Sequence, residues 1–165
     1  MKLLIHIATG LGAAMLLLFL LSCTTIPDPD VAPETGNDQQ KEEITMPEQI
    51  QITISGKTLP VSIENNAATK ALVEALKKAS ITYTASDYGG FEKVGSLGRS
   101  LPTSNSQITT QAGDVILYSG NQIVLFYGSN SWSYTRLGKI RYSSLDELKS
   151  FLKAGKGDIS VTLSL

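Results

Sequence analysis

Apolar and polar residues alternate in three short stretches of this chain. Ile50, Ile52 and Ile54 alternate with Gln51 and Thr53; Leu59, Val61 and Ile63 alternate after Ser55-Gly56-Lys57; Ile159, Val161, Leu163 and Leu165 form the third run. A period of two puts every apolar side chain on one face of a strand, and no helix can use it. The first two runs, around a short Gly turn, read as a β-hairpin. Val115-Ile116-Leu117-Tyr118 and Gln122 to Tyr127 read as two more strands joined by Ser119-Gly120-Asn121, and Ile81 to Thr84 and Thr135 to Tyr142 as two others. Residues 86–113 read as loop-rich, with Gly89, Gly90, Gly95, Gly98 and Pro102.

Two segments carry the helical period instead. Asn65 or Asn66 caps the first, which puts Ala68, Leu72, Ala75, Leu76 and Ala79 on one face. Ser144 and Glu147 form a capping box for the second, Leu145, Leu148, Phe151 and Leu152 give its apolar face, and Gly155 can end it. The fold expected is mainly β: seven or eight short strands with two helices, in a closed or nearly closed barrel with helical caps. A two-layer α+β sandwich is the alternative.

Residues 1–47 have a different character. Lys2 precedes an almost continuous apolar run, Leu11 to Leu21, which ends in Leu20-Leu21-Ser22-Cys23. A charged start, a short apolar core and a small residue before a cut describe a secretory signal. The ending resembles the lipobox of bacterial lipoproteins, in which the Cys is lipidated and becomes the new N-terminus. Residues 1–22 are then a signal peptide and Cys23 the lipid site, with each buried CH2 of its acyl chains contributing about 0.8 kcal/mol to anchoring. An uncleaved anchor helix is the other reading. Both tether the rest of the chain to a membrane in the cell envelope, on its extracytoplasmic side. Residues 23–47 hold Asp28, Asp30, Glu34, Asp38, Glu42 and Glu43 against Lys41, with Pro27, Pro29, Pro33 and Pro47. That composition reads as an acidic, disordered tether. Residues 48–165 form the domain.

The chain's net charge of -1 hides an asymmetry, because positions 49–165 hold twelve Lys and Arg against eight Asp and Glu. A mild, unclustered positive charge is no nucleic-acid footprint, and none is expected as partner. The one His is His6 and the one Cys is Cys23, both N-terminal to the domain. Ser-His-Asp and Cys-His catalysis, His/Cys zinc sites and dithiol redox chemistry therefore have no side chains to work with. No glycine-rich phosphate fingerprint opens a helix. Neither metal nor cofactor is expected. Asp87 and Glu92 are the one close carboxylate pair in the loop-rich centre. Asp87 is expected to order a turn, and Glu92 to pair with Lys93 or Arg99. Asp114 reads as a turn residue, and Arg136, Lys139 and Arg141 as one solvated strand face.

Two segments carry a resemblance to a known family. Ser86-Asp87-Tyr88-Gly89-Gly90-Phe91-Glu92-Lys93-Val94-Gly95 and Gly128-Ser129-Asn130-Ser131-Trp132-Ser133-Tyr134-Thr135-Arg136-Leu137-Gly138-Lys139-Ile140 look like the bacterial cyclophilin-like domain family. The resemblance covers essentially all of residues 50–165. It implies a small eight-stranded barrel closed by two short helices, and no assigned reaction. Prolyl isomerases of the same barrel carry His-Arg-x-Ile-Pro and then Gln-x-Gly-Asp. Here stand Gly98-Arg99-Ser100-Leu101-Pro102 and Gln111-Ala112-Gly113-Asp114, about four residues further apart. The isomerases' pocket Phe corresponds to Val124 and their pocket His to Tyr134; a Trp is shared as Trp132.

Isomerisation must lower a rotational barrier of about 20 kcal/mol; in the isomerases of this barrel an Arg donates a hydrogen bond to the prolyl nitrogen inside an apolar cup that excludes water. The resemblance would give Arg99 that donor role, but Val124 shrinks the cup. The resemblance thus points to a membrane-anchored binding module with a cleft formed by Phe91, Arg99, Gln111, Val124, Trp132 and Tyr134. That cleft would take an extended or Pro-containing peptide, or a small ligand. A peptidyl-prolyl isomerase with Arg99 as its catalytic candidate is one alternative, and a structural envelope lipoprotein the other.

Overall fold

Ser55 and Gly56, with φ of 50° and 78°, form a two-residue turn between β1 (Gln49–Ile54) and β2 (Lys57–Ile63). Left-handed backbone at both turn positions matches the twist of the strands it joins. The register follows the alternation: Ile50 faces Val61 and Ile52 faces Leu59. The structure is a computed structural model that describes residues 45–165. The expected signal peptide, Cys23 and nearly all of the expected tether lie outside the described residues.

The remaining elements are α1 (Ala67–Leu76), β3 (Ile81–Tyr88), β4 (Glu92–Ser96), β5 (Ser106–Thr109), β6 (Asp114–Tyr118), β7 (Gln122–Phe126), β8 (Ser131–Ile140), α2 (Leu145–Phe151) and β9 (Ile159–Ser164). Eight strands run in the order β2-β1-β9-β3-β4-β7-β6-β8, and β8 pairs with β2 to close the ring. Every neighbouring pair is antiparallel. The fold is thus a closed eight-stranded barrel with two short helices, and the open sandwich is set aside. Closure leaves no barrel edge unpaired. β5 is a ninth strand outside the ring, paired to the first four residues of β8.

The helices cap the barrel's apolar interior. Asn66 accepts the Thr69 N–H (3.0 Å) and donates from its amide to the Arg136 carbonyl (2.7 Å), which ties the start of α1 to β8. Ser144 accepts the Glu147 N–H (3.1 Å), and the Glu147 carboxylate accepts the Ser143 N–H (2.7 Å). Leu72, Val73 and Leu76 of α1 and Leu148 and Phe151 of α2 join Ile50, Ile52, Leu117, Leu125 and Val161 in one core.

The loop-rich reading of residues 86–113 needs correction. β3 runs on to Tyr88, and β4 and β5 both lie within that stretch. Gly95 sits in β4 because the Tyr83 ring and the Thr84 carbonyl leave no room for a Cβ there. The last described strand before α2 starts at Ser131, four residues before the expected Thr135, because β5 pairs with those four. Asp114 is a buried strand residue rather than a turn. A bulge at Val115/Ile116 brings Lys139 opposite Asp114 and Arg136 opposite Ile116. Arg136 (3.3 Å) and Lys139 (3.8 Å) therefore both reach the Asp114 carboxylate.

Candidate functional site

β7 reads Gln122-Ile123-Val124-Leu125-Phe126 and is apolar without interruption from its second residue. Ile123 and Leu125 point into the barrel, so Val124 and Phe126 must point out. A strand buried on both faces needs a second apolar layer. That layer is a separate cluster of Ile116, Val124, Phe126 and Tyr134, with Phe91, Val94 and Ile108 packed against it. Its rings are ordered. Phe91 stacks on Phe126 (6.3 Å between centroids), and Tyr134 meets Phe126 (5.9 Å) and Tyr118 (6.0 Å) edge to face.

A cavity of about 400 Å³ opens on this outer cluster. Its floor is the cross-strand pair Val94 and Val124, with Tyr118 and Gln122, themselves opposite each other on β6 and β7. Tyr134, Trp132 and Asn130 form one wall, and Tyr88 and Glu92 the other. The first wall is set in advance. Asn130 donates to the Tyr134 hydroxyl (3.1 Å), and its backbone is held from both sides by Thr110. Trp132 stands 57% exposed at the rim.

Glu92 is the unusual group. It is only 5% exposed, and its Oε2 has no hydrogen-bond partner. Burial pushes its pKa up to about 7. Pairing with Lys93 or Arg99 does not occur, and strand alternation is the reason. Glu92 faces outward into the cavity, while Lys93 faces inward and is fully buried. Lys93 pairs with Asp87 at 2.8 Å, directly across the β3–β4 ladder. Arg99 is exposed on the bend after β4 and takes part in none of the ion pairs among the described residues.

Because the folded pKa of Glu92 lies above its ordinary value of 4.5, the folded state holds that proton more tightly than the unfolded chain. Its contribution to stability is full below about pH 4.5 and is lost as the pH rises through 7.

The six residues expected to form one cleft are divided by the structure. Val124, Trp132 and Tyr134 line the cavity. Phe91 lies beside it in the cluster that supports it, stacked on Phe126. Arg99 and Gln111 are not among the lining residues. Gln111 sits exposed in the loop before β6, where its N–H donates to Asp114 (2.9 Å) and Lys139 reaches its side-chain oxygen (3.4 Å). Sequence reasoning missed Glu92, Tyr118 and Asn130 as cavity residues. The alternation of Glu92, Val94 and Ser96 was the available signal, but it has meaning only once β4 is known to be a strand.

A closed antiparallel barrel with a cavity built on its outer wall defines the class: a small β-barrel domain with an aromatic-lined chamber outside its core. Within that class, the chain belongs to the Cyclophilin-like family, which it matches over residues 52–164. The fold is also similar to the solution structure of the hypothetical protein AF2241 from Archaeoglobus fulgidus, at 17% identity over 71% of this chain and 93% of that one, with a TM-score of 0.49. No curated protein matches the chain.

Proposed function

We propose that this protein is a lipid-anchored, extracytoplasmic binding module that holds an extended peptide or a small ligand in the outer cavity of its barrel. The observation that carries the reading is the cavity's construction: aromatic walls fixed by a hydrogen-bonded Asn130–Tyr134 pair around one buried, unpartnered carboxyl. Concave, mainly apolar sites with a few convergent polar groups are where small ligands bind. The same construction favours holding over isomerisation. Twisting a prolyl bond calls for a donor aimed at the prolyl nitrogen. The cavity's lining holds no cationic donor, and Arg99 stands apart from it.

Trp132 is the only tryptophan of the chain and sits on the cavity rim, so its emission reports on occupancy. Titrating the full-length protein in mild detergent with a panel of blocked five-residue peptides, including Ala-Pro sequences, is expected to shift that emission saturably. Val124→Phe fills the cavity floor and is expected to weaken binding at least tenfold while the fold stays intact. A panel that leaves Trp132 silent, or a Val124→Phe variant that binds as the parent does, would sink the cavity reading.

The anchor rests on Leu20-Leu21-Ser22-Cys23. Labelled palmitate is expected to be incorporated into the parent and not into Cys23→Ser in expressing cells. A parent that takes up none would favour the uncleaved anchor helix.

A further inference from the structure

Resting on the reading that the outer cavity is the binding site, we propose that its ligand carries an organic cation, an alkylammonium or guanidinium group, with Glu92 as the counter-ion and Tyr88, Tyr118, Trp132 and Tyr134 as the walls around it. The first ground is what Glu92 lacks. A carboxylate only accepts, and the Oε2 atom is buried with nothing to accept from. Buried polar atoms without partners are uncommon, and the carboxyl that carries this one lines the cavity.

The protein does not supply that donor itself. The adjacent cation, Lys93, is on the other side of the strand and is already held by Asp87 and the Gly157 carbonyl. No Lys or Arg lines the cavity. An anionic ligand would therefore meet repulsion from Glu92 and no compensating charge.

The second ground is the aromatic lining. Ring faces are electron-rich and attract cations within about 6 Å of the centroid, more strongly as water is excluded. Three tyrosines and one tryptophan surround the same space as the carboxyl. The Tyr118 and Tyr134 rings, 6.0 Å apart and at 71° to each other, present a corner rather than a flat wall. A volume of about 400 Å³ is enough for a lysine or arginine side chain with some of its backbone. The electrostatics agree with this. Besides burial, the charge of Glu92 raises the pKa of Tyr134, so its field crosses the cavity to the facing wall. The pKa of Glu92, near 7, means that a bound cation would draw the carboxyl into its ionised form, with Tyr88, Tyr118, Tyr127 and Tyr134 as the other titratable groups around it.

The cation could arrive free or on a peptide, and three probes separate these sources. They are acetyl-Ala-Lys-Ala-amide, the same tripeptide with norleucine, and n-pentylammonium. Each is titrated into the full-length protein in detergent at pH 8, with Trp132 emission as the readout. The lysine tripeptide is expected to bind at least tenfold tighter than its neutral norleucine counterpart. Its affinity is expected to fall about tenfold between pH 8 and pH 6, as Glu92 takes up a proton. Glu92→Gln is expected to abolish the lysine preference. The same variant is expected to melt above the parent at pH 8 and level with it at pH 5, which shows that it folds. Pentylammonium binding as tightly as the lysine tripeptide assigns a free amine; binding tenfold or more weaker assigns a peptide side chain. Both results support the cation. Equal affinity for the lysine and norleucine tripeptides overturns it while leaving the cavity reading in place. Silence from all three probes also overturns it, and the peptide panel above then decides separately whether the cavity binds ligand at all.

Discussion

Lys93→Met is expected to destabilise the folded chain by about 3–5 kcal/mol, the usual cost of breaking a buried ion pair from one side. The Lys93 side chain is fully buried at one end of the barrel. Its partner Asp87 gathers four donors: the Lys93 ammonium (2.8 Å), the Tyr127 hydroxyl (3.0 Å) and the Gly155 (3.1 Å) and Gly157 (2.9 Å) N–H groups. Lys93 also donates to the Gly157 carbonyl. One cluster therefore fastens the β3–β4 hairpin to the loop between α2 and β9. Methionine keeps the length of the side chain and removes its charge, which leaves Asp87 with no cation. Replacing Asp87 as well, as Lys93→Met with Asp87→Asn, is expected to recover much of the loss, because no unpaired charge then remains and the amide oxygen can still accept from the loop N–H groups.

Denaturant unfolding of the two variants beside the parent measures this directly, and a single-variant loss below about 1 kcal/mol would refute the assignment. The acid limb gives an independent check. Burial alone would raise the pKa of Asp87, but the hydrogen bonds from Lys93, Gly155, Gly157 and Tyr127 outweigh it and lower it to about 2. That contribution is full above the ordinary value of 3.8 and is lost as the pH falls toward 2. Lys93→Met is expected to flatten this part of the stability profile.

This cluster shows where sequence reading stops. Lysine is almost never fully buried, so Lys93 reads as surface until the β3–β4 register places it opposite Asp87. β1, β2, β9 and both helices are legible because their side chains repeat with a clear period or carry a cap. β5 is not. Its residues Ser106-Gln107-Ile108-Thr109 are mostly polar and exposed, and it is a strand because its backbone pairs with β8. The continuous apolar run of β7 shows that both of its faces are buried. It does not show what covers the outer face, since that comes from Tyr134, Phe91 and Ile108 at distant positions. Val124, Trp132 and Tyr134 were reached through family resemblance. Arg99 and Gln111 came the same way, from motifs whose spacing here is longer, and it is their loops that the structure places away from the cavity.

Gly138→Ala is expected to cost about 3 kcal/mol or more, and to do so at the seam that closes the barrel. β8 is the strand on which closure depends. Gly138 lies opposite Ile63 of β2 on one side and Val115 of β6 on the other. The Glu64 N–H bonds to the Leu137 carbonyl (2.9 Å) and the Arg141 N–H to the Pro60 carbonyl (2.8 Å), on either side of this point. A Cβ on residue 138 would overlap the Ser62 carbonyl oxygen and lie 3.1 Å from the Ile63 Cα. Both obstacles are backbone of the neighbouring strand, so no rotamer change relieves them. Gly138 is not one of the positive-φ glycines, which makes the requirement one of space and not of conformation.

Gly56→Ala supplies the contrast. Its φ is +78° and nothing lies within 4 Å of a Cβ there, so the cost is only the left-handed backbone, about 1–2 kcal/mol. Amide exchange locates the difference. In Gly138→Ala the β2–β8 amides should lose protection before those of β3–β9, because the ring opens where its strands are forced apart. If the two variants lose equal stability and keep the same protection pattern, the seam is not what Gly138 maintains. Opening there would also free β8, the strand that carries Trp132 and Tyr134, so the cavity is expected to fail together with the barrel that holds it.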